Sequence, residues 1–288
     1  MATMAGRSGS APTNGGSRRP WQLEIFDVSL KKQQKLVMLL DLLGPLEGQT
    51  CLLITNGDNP GSLNYHLRSA GGSWTWCELE EAGIPDMASF LNEPVHAGWA
   101  DRLPFPDASF SRVVVVDVHE HLEHTETLDR ELARILVPAG VVIVTTPNGN
   151  ERLPVARLKR WLGMDPAAYG HTVQGFEAKA LEDKLRAVGL VPERRGAYSR
   201  FFTEFIELAI NFGYVKVIGR LKGRRQPAAG EIAPRSAEQL GSVGGAFRLY
   251  RRLFPFMKAL SSLDVLIPGR GGYAVGVAAR RPADGRNR

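Results

Sequence analysis

The residues best suited to chemistry sit where apolar runs end. Cys51-Leu-Leu-Ile54 breaks into Thr55-Asn-Gly-Asp-Asn-Pro-Gly61, and a helical pattern with Leu63 and Leu67 on one face follows at once. That order reads as strand, tight turn and helix. Gly57 and Gly61 permit positive φ and close backbone approach, while Asp58 and Asn59 place polar groups on the same turn. The turn faces the unpaired N–H groups of a helix N-terminus, which favour a polar or anionic ligand head. By itself the spacing equally suits a turn that binds nothing. A second run, Gly71 to Cys77, ends in Glu78. A carboxylate there can accept two vicinal hydroxyls in charge-assisted bonds, as in α/β sheets that hold a ribose at the end of the second strand. The competing reading is a solvated strand end, with Glu80 and Glu81 close by.

Further along, the buried-strand composition Val113-Val-Val-Val116 ends in Asp117, and His119-Glu-His-Leu-Glu-His124 follows. Three histidines and two acids in six residues suggest a metal site. On a helix, however, His121 and His124 share a face and His119 points elsewhere. The zinc pattern of two histidines three residues apart, with Glu after the first, is absent. We therefore expect the start of a helix and no metal. An imidazole near neutral pH can accept a proton, which makes His121 a candidate base. His171, in Tyr169-Gly-His-Thr172 ahead of another helix, is either a loop or capping residue or a part of an acceptor pocket.

These residues need a framework of alternating strands and helices. Ser29 can cap a helix that runs to Leu43 and stops at Gly44-Pro45, with Leu36, Leu39, Leu40 and Leu43 turned to a sheet and Met38 in the core. Trp21 to Asp27 is a short lead-in. A third strand segment ends at Ala100-Asp101, and Leu103 to Phe110 leads into the fourth strand. Then come a helix from Leu128 to Leu136, a turn at Pro138-Ala-Gly140, a strand from Val141 to Thr146 and a loop at Thr146-Pro-Asn-Gly149. A helix from Ala178 to Val188, a strand from Leu190 to about Ala197, and a last strand at Gly272 to Ala279 complete the pattern.

On these residues the chain resembles the class I S-adenosylmethionine-dependent methyltransferases, of the methyltransferase type 11 kind. The resemblance rests on Leu103-Pro-Phe-Pro-Asp-Ala-Ser-Phe110, on Glu120-His121-Leu122, on Arg130-Glu-Leu-Ala-Arg-Ile-Leu136 with Pro138 and Gly140, and on the glycine turn, and covers residues 48–150. It implies an α/β, Rossmann-like, seven-stranded and mostly parallel sheet, with helices on both faces and a helical insertion before the last strand. It also implies S-adenosylmethionine as cofactor. Gly57 to Gly61 would then pass beneath its methionine part, Glu78 would hold the ribose hydroxyls, Asp101 would meet the adenine amino group, and Asp117 would lie beside it. In such proteins a histidine placed like His171 often lies near the acceptor. Two positions depart from the family pattern: Thr55 stands where an acid is usual, and Asn59 where a second glycine is usual. Ala139 also replaces a common glycine. A nicotinamide-dependent oxidoreductase is disfavoured, because the turn lacks the three-glycine fingerprint.

The 288 residues, 43% of them apolar, suffice for one large domain. Residues 1–20 read as a disordered tail with no apolar signal segment, 21–200 with 265–280 as the methyltransferase body, 201–264 as an amphipathic insertion and 281–288 as a basic tail. The net charge of +6 resides in the terminal segments, so the body is balanced and a nucleic-acid partner is not expected. Cys51 and Cys77 fall in buried strands, which points to free thiols in a reducing cytoplasm. The insertion opens with Phe201, Phe205, Leu208, Phe212 and Val215 at helical spacing, and Glu204, Glu207 and Asn211 make it too polar to span a bilayer. A basic stretch with Lys216, Arg220, Lys222, Arg224 and Arg225 follows, then a second amphipathic segment from Phe247 to Leu260. Either these helices lie at an anionic membrane surface, or they cap the pocket or form a dimer contact. The expected activity is methyl transfer to an apolar or lipid-linked acceptor, in the cytoplasm or at the inner face of its membrane. The alternative is an inactive methyltransferase-fold adaptor that binds a membrane or a protein.

Overall fold

The computed structural model describes residues 19–57, 59–163, 172–212, 244–267 and 271–283. Seven strands form one sheet: β1 (Thr50–Thr55), β2 (Ser73–Glu78), β3 (Val95–Ala97), β4 (Phe110–Val116), β5 (Leu136–Pro147), β6 (Val191–Tyr198) and β7 (Ala274–Arg280). Their order is β3-β2-β1-β4-β5-β7-β6, parallel throughout except that β7 runs antiparallel to both its neighbours. The order reverses at β1–β4, the place where open α/β sheets bind ligands beyond the carboxyl ends of their strands.

Nine helices complete the described chain: α1 (Trp21–Asp27), α2 (Leu30–Leu43), α3 (Ser62–Ser69), α4 (Ile84–Leu91), α5 (Thr125–Ile135), α6 (Pro154–Trp161), α7 (Ala178–Ala187), α8 (Phe201–Phe212) and α9 (Gly244–Ser261). Leu39, Leu43, Leu67 and Met87 of α2, α3 and α4 close one face of the sheet. Leu128, Leu132, Leu181 and Leu185 of α5 and α7 close the other. Burial on both faces explains why β1 and β4 are continuous apolar runs rather than alternating ones. Met38 is core, as expected. Its side chain lies where Gly196 of β6 and Gly276 of β7 leave no Cβ, which lets α2 seat closely on the sheet.

Several boundaries differ from the sequence reading. The third strand ends at Ala97, and residues 99–102 form a tight turn instead. His119–His121 is a single 3₁₀ turn, and α5 begins only at Thr125. Pro138-Ala-Gly140 is not a separate turn but part of β5, where the pairing with β4 shifts register. Ala139 takes φ +63°, the conformation that makes glycine usual there. Arg281, assigned to the tail by sequence, instead donates to the carbonyls of Ala133 and Leu136 at the end of α5.

α8 and α9 fall between β6 and β7 in the chain, and they pack beside the α1–α2 junction. Ile206 and Phe254 bury against Val28 and Leu30, and the Tyr250 hydroxyl donates to the Val28 carbonyl. Asp264, on a 3₁₀ turn after α9, accepts from the backbone N–H groups of Phe202 (2.7 Å) and Thr203 (3.1 Å) and so caps α8 from the far end of the insertion. The connection at 213–243, with its basic stretch, lies outside the described residues.

Candidate functional site

The turn after β1 is held by Glu78. Parallel pairing places Thr55 beside Glu78 at the carboxyl ends of β1 and β2. The Thr55 hydroxyl donates to one carboxylate oxygen at 2.7 Å, and the Gly57 and Glu80 N–H groups donate to the other at 2.8 and 3.0 Å. Glu78 has no exposed surface, so it is not a solvated strand end, and burial raises its carboxyl above the usual range. This geometry also accounts for Thr55. An acid there would face Glu78 inside the fold, whereas a hydroxyl gives it a donor. Gly57 takes φ +79°, and a Cβ on it would run into the Glu80 carboxylate. Asn59 makes its own turn: its carbonyl accepts from Gly61 N–H at 3.3 Å, and its amide donates to Asn64 at 2.5 Å. Asp58 lies outside the described residues.

Beside this turn, Asp117 caps β4 with φ +51°. It pairs with Lys35 of α2, and its other oxygen accepts from the Thr145 hydroxyl at 3.0 Å. Burial alone would raise the Asp117 carboxyl, but the Lys35 ammonium and the Thr145 hydroxyl outweigh it and hold it below the usual range. Glu120, 1% exposed, accepts from Thr146 at 3.2 Å, and burial together with the nearby Asp117 charge pushes it well above that range. A pocket of about 40 Å³ opens between Phe26, Lys32, Lys35, Asn56, Asn59 and Asp117. Phe26, Lys32 and Lys35 carry no mark of this role in the sequence, because they reach the strand ends only through the packing of α1 and α2. A larger hollow of about 430 Å³ lies between α5 and α7, lined by Glu126, Arg130 and Lys184, away from the carboxyl edge.

The other sequence candidates are dispersed. Asp101 is exposed in its turn and does not line the 40 Å³ pocket. His119 is buried, with Nε2 2.9 Å from Asp129, so its place is in the core under α5. His121 is half-buried, and its carbonyl accepts from the Thr172 hydroxyl at 3.2 Å. His171 lies outside the described residues. Among the described residues no three of His, Cys, Asp and Glu are grouped to hold a metal. Cys51 and Cys77 are free and buried, which pushes their thiols up to about 11 and about 12.

A second charged cluster escaped the sequence reading. Glu204 of α8, 2% exposed, pairs with Lys31 of α2 at 2.9 Å and with Lys159 of α6, and accepts from Ser199 at 2.5 Å. Burial opposes its ionisation, but the two lysines pull its carboxyl down to about 2. Gln34 of α2 bridges Thr203 (2.9 Å) and Ser199 N–H (2.9 Å). The α2 helix therefore supplies both the partner of Asp117 and the anchor of the insertion.

Residues 57–144 match the family model for a methyltransferase domain. Over that stretch, from the turn after β1 into β5, the chain carries a methyltransferase domain. Solved structures repeat its fold at low identity. The cyclase SpnF superposes with a TM-score of 0.54 at 18% identity, covering 87% of this chain and 82% of that one. Geranyl diphosphate C-methyltransferase from Streptomyces coelicolor A3(2), solved with S-adenosyl-L-homocysteine, gives 0.53 at 13%, covering 87% and 76%. Phosphoethanolamine N-methyltransferase 2 of Haemonchus contortus, solved with S-adenosyl-L-methionine, gives 0.52 at 15%, covering 87% of this chain and 52% of its own. No curated protein sequence matches the chain.

Two of these neighbours were solved with S-adenosyl-L-homocysteine or S-adenosyl-L-methionine, and the chemistry of the pocket here suits a ligand of that kind. A buried carboxylate closes the second strand, a glycine turn leaves backbone exposed, and an anionic Asp117 lines the pocket beside that turn. The space of about 40 Å³ is room for one or two waters. Phe26 and Lys35 line this space from the side of α1 and α2.

Proposed function

We propose that this methyltransferase transfers a methyl group to an apolar or lipid-linked small molecule admitted beside α8 and α9. The observation that carries the reading is the site at the sheet's topological switch, with a fully buried Glu78 under the turn and Asp117 lining the small pocket beside that turn. In this reading Gly57, Asp58, Asn59 and Gly61 bed the methionine part of the cofactor. Glu78 retains lone pairs for the ribose hydroxyls, Asp101 meets the adenine edge, and Asp117 releases Lys35 to face the cofactor. Bound S-adenosylmethionine supplies an electrophilic methyl on a sulfonium, so the chain's task is to align the acceptor and exclude water. A proton acceptor is needed only for a hydroxyl or an ammonium acceptor. His121 and His171 are the candidates from sequence, and Glu120 joins them as a buried carboxyl with a raised proton affinity. The aromatic residues of the insertion favour an apolar acceptor, and the free thiols fit a cytoplasmic setting.

One observation favours a second reading, an adaptor without activity: the Lys35–Asp117 ion pair lines the pocket, and the pocket is small. Calorimetric titration with S-adenosylmethionine and with S-adenosylhomocysteine separates the two. Micromolar binding that Glu78→Ala abolishes supports the enzyme and justifies a labelled-methyl screen of lipid extracts. No heat at millimolar ligand would leave the adaptor.

A further inference from the structure

α9 has two apolar faces with different fates. Phe247, Tyr250, Phe254 and Met257 turn inward to Val28, Leu30 and Ile206. Leu249, Leu253 and Phe256 recur at four and three residues on another side and stand 59%, 49% and 70% exposed. Val265 and Leu266, on the turn that ends the helix, extend the outer stripe at 79% and 75% exposure. Arg252 sits one turn from both Leu249 and Phe256, and Arg251 and Lys258 are exposed on the same helix. α9 contains no acidic residue.

We infer that the outer face of α9 docks the protein on an anionic lipid surface, with the apolar stripe at the acyl boundary and Arg252 on headgroup phosphates. Charge selects this occupant. A second copy of the chain would bring like charges together, and a nucleic acid would meet the cations but give the leucines, Phe256 and Val265 no apolar surroundings. An interfacial helix needs both features on one exposed side, and here they adjoin. The inner face grips the α1–α2 junction, whose Phe26, Lys32 and Lys35 line the small pocket. No helix among the described residues is long and apolar enough to cross a membrane.

The inference deepens the proposed membrane-held acceptor and rests on that reading, yet it is tested without methyl transfer. The full chain should sediment at low salt with vesicles of phosphatidylcholine and phosphatidylglycerol, and stay in solution with phosphatidylcholine alone. Removing the adjoining cation in Arg252→Gln should weaken partitioning about fivefold. Leu253→Ser/Phe256→Ser should weaken it about tenfold or more, through lost apolar insertion. Both variants lie on the surface and should bind S-adenosylmethionine like the parent, so loss of docking is read apart from loss of the cofactor site. The inference is overturned if the parent ignores anionic vesicles, or if partitioning survives both variants. Capture by soluble heparin that Leu253→Ser/Phe256→Ser leaves unchanged overturns it too, and so does a dimer in solution that this variant dissociates.

Discussion

The turn between β1 and α3 and the insertion of α8 and α9 both depend on a buried carboxylate, but they satisfy it differently. Glu78 draws its donors from Thr55, Gly57 and Glu80, three residues of one paired-strand edge. Glu204 draws its own from Lys31, Lys159 and Ser199, which lie on α2, on α6 and just ahead of α8. Backbone N–H groups and a hydroxyl stabilise the first without a counter-charge, so its carboxyl stays raised. Two ammonium groups stabilise the second, so its carboxyl is lowered. A site that must accept ligand hydroxyls gains from the first arrangement. A joint that must hold distant helices together gains from the second.

The largest effect that tests this contrast should come from Glu204→Gln. It strands two partly buried ammonium groups, and urea unfolding should show a loss of about 3 kcal/mol with an unchanged denaturant slope. The pH dependence carries the same sign. Glu204 is depressed to about 2 from an ordinary 4.5, so its contribution is complete above about pH 4.5 and fades as the pH falls toward 2. The variant should lack that part of the acid limb, and an unaltered limb would break the comparison.

Glu78→Gln should cost less stability, about 2 kcal/mol, because an amide nitrogen must then face donors. It should weaken S-adenosylmethionine by about tenfold or more in calorimetry, whereas Glu204→Gln at the same temperature should leave cofactor affinity nearer the parent's. If the two variants exchanged these effects, the division of labour would be reversed.

Glu120 should give a smaller effect of opposite pH sense. Its folded carboxyl is raised, so its contribution is full below the unfolded value near 4.5 and is lost as the pH rises toward its folded value. Glu120→Gln should therefore flatten a decline in melting temperature between mildly acidic and neutral pH. The smallest effect expected is Ala139→Gly, a gain of about 0.5 kcal/mol. Relief of the left-handed alanine should slightly exceed the entropy cost of glycine. A loss in thermal melts would mean that the Ala139 methyl contributes packing the backbone angle does not reveal.

Much of the framework was legible because it is local. Apolar runs mark the central strands, and glycine and asparagine mark the turn. Ser29 caps α2 by accepting from Lys32 N–H at 3.4 Å, and Gly44 ends the helix at φ +66°. The insertion was legible as two amphipathic segments, and the structure describes one helix in each. Their division into a packed and an exposed side could not be read, since hydrophobic periodicity does not say which neighbour will cover it.

By itself, then, the sequence determined the alternation of strands and helices, the turn under the candidate site and the position of Glu78 and Asp117 at strand ends. Each follows from propensity and patterning within a dozen residues. Only the tertiary structure decided that Thr55 donates to Glu78, that Lys35 reaches Asp117 across 82 residues of chain, and that Lys31 and Lys159 meet on Glu204. A lysine on a helix carries no local mark of its partner. Its pairing is set when the sheet brings distant elements to one edge and burial makes an unpaired charge too costly to keep.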